Sequence, residues 1–143
     1  EKIFLITNKR KLKLSDYKSN YKNRNLKLWN LMNALGTKNI KEAKNVYDSL
    51  QSSGTSIIPI VSNLTTFYSA LLHSFNNDSG NSFRLNNTIK NRLSSYKVKY
   101  SFEEIYNIIL ELRNLDIIAK SSNLSDDLLF YPFALKVCKG YYD

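Results

Sequence analysis

Residues 56–75 read SIIPIVSNLTTFYSALLHSF, and this stretch decides the fold class. Ile57, Ile60, Val61, Leu64, Phe67, Tyr68, Leu71, Leu72 and Phe75 recur at spacings of three and four, over about five turns of a buried helix. Pro59 does not interrupt the pattern. With Ser56 as N-cap, the proline falls in the first turn, where backbone N–H groups have no intrahelical acceptor and a missing donor costs little. Four Gly and two Pro in 143 residues are too few for the corners of a β-sandwich. The 43% apolar content fills one core of ordinary domain size and not two. The expected fold class is all-α, a compact bundle of about five to six helices.

The flanking sequence repeats the signature. On the N-terminal side Leu28, Trp29, Met32 and Leu35 form a helical stripe, with Asn25 available as N-cap and Gly36 as a left-handed stop. Asn39-Ile40-Lys41-Glu42 has the form of a capping box, and Ile40, Ala43, Val46, Tyr47 and Leu50 run from it to Gly54. On the C-terminal side, residues 76–82 (NNDSGNS) are turn chemistry. Leu85, Ile89, Leu93 and Tyr96 then define a shorter helix. A second capping box, Ser101-Phe102-Glu103-Glu104, opens the stripe Ile105, Ile108, Ile109, Leu112, Leu115 and Ala119, which runs to about Ser121. The segment from Ser125 to Lys139 is apolar enough for a last helix that Pro132 must kink or restart and Gly140 closes.

Charge is unevenly spread. The chain carries 21 Lys and Arg against 12 Asp and Glu, a formal charge of +9, and residues 1–25 hold eight of the bases with only two of the acids. That stretch reads as a connector. The run beginning Glu1 and continuing Ile3-Phe4-Leu5-Ile6 suggests a piece of a longer protein, and no apolar run approaches the roughly 20 residues of a membrane span. A single cysteine, Cys138, excludes an internal disulfide and fits a reducing, cytoplasmic setting.

Chemistry is sparse. The glycines stand too far apart for a phosphate-cradling loop, and one histidine, His73, cannot build a His/Cys metal site. His73 reads as a surface or rim side chain and Cys138 as a small packing residue. Asp116 and Lys120, four apart, have the spacing of a surface ion pair. No catalytic residue, cofactor site or metal site is expected.

One segment points further. Residues 100–121, YSFEEIYNIILELRNLDIIAKS, resemble a recurring segment of the delta subunit of the bacterial DNA polymerase III clamp loader. In that family an aromatic-Ser pair opens a helix, a Glu follows at the cap, and the helix ends in Asp-x-x-x-Lys-Ser. Here these are Tyr100, Ser101, Glu104, Asp116, Lys120 and Ser121. The stretch from Leu28 to Leu50 is similar to two further helices of the family, with Leu31, Ala34, Leu35, Ala43 and Leu50 on matching positions, and residues 57–75 correspond to its long aromatic-bearing helix. Two departures stand out: NNDSGNS is too brief for a short helix the family has there, and Pro132 sits in a segment that is normally an uninterrupted final helix.

The resemblance implies a C-terminal collar domain over residues 25–143, through which clamp-loader subunits associate in a ring. Residues 1–24 would then be the end of the preceding lid domain plus a basic linker. Implied partners are the motor and delta-prime-like subunits, primer-template DNA within the complex, and the sliding clamp through an N-terminal domain outside this chain. The parent would be a non-catalytic subunit of a DNA-directed DNA polymerase holoenzyme. Trp29, Tyr68, Tyr131 and Phe133 are candidates for subunit interfaces, or else core. Arg84, Lys90, Arg92, Lys97 and Lys99, with Tyr96 and Tyr100 interleaved and no acid between, either line DNA phosphates or form a solvated face. The competing reading is a free-standing helical nucleic-acid-binding domain that uses this basic segment, and a helical adaptor unrelated to replication is a third.

Overall fold

Asn39 starts the second helix by accepting a hydrogen bond from the Glu42 backbone N–H at 3.2 Å, as the capping box requires. The computed structural model describes residues 24–76, 83–140 and 142, and the expected lid and linker lie outside these apart from Arg24. The described residues form seven helices and no strand: α1 (residues 24–36), α2 (Ile40–Ser52), α3 (Ile57–Ser74), α4 (Asn87–Asn91), α5 (Leu93–Lys97), α6 (Phe102–Ser121) and α7 (Asp126–Lys139). None is long and apolar enough to cross a membrane.

The core follows the apolar stripes. α3 contributes Ile57, Ile60, Val61, Leu64, Phe67, Tyr68, Ala70 and Leu71, all buried, and packs mainly on α6, with α5 against its C-terminal half. α2 packs on α7, where the Tyr47 and Phe130 rings stack at 4.0 Å. α1 closes the bundle with Leu28, Leu31, Met32, Ala34 and Leu35.

Three expectations change, and of the two outcomes open at Pro132 the restart is excluded. α1 already includes residue 24, so Asn25 lies within it and is not its cap. Gly36 does not stop α1 either. The left-handed residue is Lys38 (φ 57°), with the Asn39 N–H donating to Ala34 C=O and the Lys38 N–H to Leu35 C=O. Gly36 serves packing instead: a Cβ there would meet Tyr96 Cδ1 at 2.8 Å. The expected helix over Leu85 to Tyr96 is broken into α4 and α5 at Arg92, and Leu85 precedes both. α7 runs through Pro132 without restarting, on the exposed side of the helix, and ends at Gly140 with φ 75°. The proline's missing donor would have faced the Leu128 carbonyl, on a turn open to water.

The other stops agree with the sequence. Gly54 (φ 86°) ends α2 in a two-bond closure, its N–H donating to Gln51 C=O and that of Thr55 to Leu50 C=O. Ser101 caps α6 by accepting from the Glu104 N–H at 3.1 Å.

Candidate subunit interface

α6 has two apolar faces. Ile105, Ile108, Leu112 and Leu115 point into the core, and on the opposite side Phe102, Tyr106, Leu110 and Ile117 are 47%, 51%, 42% and 55% exposed. Their spacing of four, four and seven keeps them in one line, with Arg113 filling the gap. An outward helix face is ordinarily the polar one, so this apolar line is the feature of α6 that burial within its own chain does not account for. It borders a groove of about 500 Å³ between α3 and α6, walled by Ile58, Val61, Thr65, Ile109 and Leu112, with the Asp116–Lys120 pair (2.9 Å) at its rim.

A second apolar face lies on α7. Leu128 and Leu135 are 64% and 41% exposed, with Pro132 between them. Beside them a hollow of about 300 Å³ is lined by Ile40, Lys44, Phe130, Tyr131, Ala134 and Leu135. Tyr131 stands half-buried at this hollow with Lys44 Nζ 5.8 Å from its ring centre. Its hydroxyl donates to Asp48 Oδ1, and that bond to a carboxylate, followed by burial, pushes the phenol up to about 12.

Of the four aromatics expected at interfaces, Tyr131 and Trp29 are half-buried. Tyr68 and Phe133 are core residues, 0% and 2% exposed, because each falls on the inward stripe of its helix, and neither can meet a neighbour. The residues that do stand outward on α6 were legible only as a second stripe overlaid on the first.

The motif residues mostly hold the fold. Glu104 is buried (1% exposed) and takes the Lys38 ammonium at 2.6 and 3.1 Å. Tyr68 Oη donates to Tyr100 Oη at 3.1 Å, and Tyr100 Oη donates to the Leu35 carbonyl, so α3, the entry to α6 and α1 share one chain of bonds. Burial raises both phenols well above their usual value, for Tyr68 with Tyr100 adding to it, for Tyr100 with the Tyr68 bond opposing it. Lys120 pairs with Asp116, and Ser121 Oγ donates to Ile117 C=O at 2.7 Å. Cys138 is half-buried, and burial pushes its thiol up to about 11. His73 is exposed, beside Phe83.

The basic set divides. Arg84 and Lys99 are exposed and Lys90 is half-buried. Arg92 also is exposed, but its guanidinium donates to Asn33 Oδ1 at 3.1 Å. Lys97 donates to the Ser74 carbonyl at 3.0 Å and lies over the Phe75 ring, tying α5 to the end of α3. The interleaved Tyr96 and Tyr100 are buried, 0% and 6% exposed, so they offer no rings for bases to stack on. Tyr96 instead donates to Asn33 Oδ1 at 2.6 Å and packs edge-on against Phe67.

Among the described residues no group of three or more His, Cys, Asp or Glu gathers to hold a metal. No family model, no curated protein and no solved structure matches the chain.

Proposed function

We propose that the chain is an oligomerisation domain of the collar type, the C-terminal part of a clamp-loader delta-like subunit that associates with the motor and delta-prime-like subunits of the loader that places the sliding clamp on primed DNA. The observation that carries the association is the outward apolar line on α6. A second apolar face on α7 gives the domain two unlike surfaces, as a member of a ring of different subunits needs for its two neighbours. The family assignment rests on the resemblance of residues 100–121, whose Ser101, Asp116 and Lys120 form the cap and ion pair expected of such a helix. Any DNA contact falls to Arg84, Lys90 and Lys99 as phosphate ligands, without base stacking.

The test is reconstitution. The chain, mixed with purified motor and delta-prime subunits, is expected to co-elute with them, and Tyr106→Glu is expected to weaken that association at least about tenfold without changing the thermal midpoint. A chain that elutes alone at micromolar subunit concentrations overturns the reading.

A further inference from the structure

We infer that two copies of this chain pair through the outward face of α6, antiparallel, about a two-fold axis passing near Leu110. The inference uses the same helix face as the proposed ring contact but does not depend on the clamp-loader assignment. Its ground is self-complementarity. A two-fold axis between Ile109 and Leu110 sets Phe102 opposite Ile117 of the second copy and Tyr106 opposite Arg113, with the two Leu110 residues offset along the helices by only about 1.5 Å. The apolar positions fall on apolar ones, and the cation falls on an aromatic face. Arg113 is exposed, and among the described residues it has no carboxylate or ring partner within its own chain. On the other flank Glu103 comes to lie near the uncharged Asn114 of the second copy.

The strip is about 22 Å long at 1.5 Å per residue. One helix face on another falls at the low end of interface sizes, below about 1,200 Å² in total, so the dimer dissociates on the order of 10⁻⁵–10⁻⁴ M. Two copies of charge +9 repel each other, and an apolar contact is not weakened by screening. Salt therefore tightens this dimer, whereas it loosens one built on ion pairs.

Sedimentation velocity of the 143-residue chain, from low to several hundred micromolar, is expected to show reversible dimerisation that strengthens with added salt. Leu110→Glu places two carboxylates face to face at the axis and should raise the dissociation constant about 30-fold or more. Leu128→Glu, on α7, should leave it unchanged. In a Cys138→Ala background, Phe102→Cys mixed with Ile117→Cys should cross-link on mild oxidation faster than either variant alone. A chain monomeric throughout, a dimer indifferent to Leu110→Glu, or cross-linking fastest within the Phe102→Cys variant overturns the inference. Leu110, Leu128, Phe102 and Ile117 are solvent-exposed, and far-ultraviolet circular dichroism verifies that the variants, including those carrying the substitution at half-buried Cys138, stay folded.

Discussion

Gly36 is the residue at which two physical preferences pull in opposite directions. It lies inside α1, where alanine would gain about 1 kcal/mol in helix propensity. Yet a Cβ would sit 2.8 Å from Tyr96 Cδ1, and the Tyr96 ring cannot retreat: it is buried, edge-on to Phe67 and hydrogen-bonded to Asn33. Overpacking of a fixed ring costs about 1–3 kcal/mol, which exceeds the propensity gain. Gly36→Ala is therefore expected to be net destabilising by about 1 kcal/mol in urea unfolding, and a more stable variant would show that the ring yields. The same competition explains why the turn is made at Lys38. Its left-handed backbone costs about 1–2 kcal/mol. That strain is offset by the ammonium's contacts with the buried Glu104 carboxylate and, at 4.5 Å, with the Tyr100 ring.

At the scale of the element, the start of α3 is capped from outside its own sequence. Ser56 occupies the N-cap position without a side-chain cap bond, and the Ile57 N–H donates instead to Asp126 Oδ2 at 3.1 Å, from the first turn of α7. Asp126→Ala is expected to cost about 1–2 kcal/mol by thermal or urea unfolding, and Ser56→Ala no more than about 0.5 kcal/mol. Equal losses would restore the local cap. This division marks how far the sequence is legible. α2 and α6 are recognisable from a polar cap followed by a stripe because both signals are local, and α3 is recognisable from its stripe alone. The trans cap was hidden because Ile57 and Asp126 are 69 residues apart. The break between α4 and α5 was hidden too, since Leu93 and Tyr96 stay in helical register across it. The outward line on α6 is masked in the sequence by the stronger inward stripe, against which Phe102, Tyr106, Leu110 and Ile117 read as incidental apolar residues.

Across the whole molecule, buried phenols tie the helices together and govern the response to alkali. Tyr47 of α2 donates to Asp127 Oδ1 of α7 at 3.0 Å, and Tyr68 of α3 reaches α1 through Tyr100. All three hydroxyls titrate well above 10 in the folded protein, Tyr47 because burial comes first and the Asp127 bond and charge add to it, the other two mainly through burial. With folded pKa above unfolded, the unfolded chain loses protons first as pH rises. The stability these groups confer is complete below pH 10 and is lost progressively above it. Each such group steepens the loss by up to about 1.4 kcal/mol per pH unit, and Tyr131 and Tyr142, also raised on folding, act in the same direction. Urea midpoints should accordingly show no tyrosine-linked fall between pH 7 and 9 and drop steeply beyond 10. Tyr47→Phe should reduce the alkaline slope by one group's share, up to about 1.4 kcal/mol per pH unit, while lowering stability at pH 7 by about 1 kcal/mol, the loss of its bond to Asp127. A slope unchanged in Tyr47→Phe would mean that the junction of α2 and α7 opens before the phenol ionises.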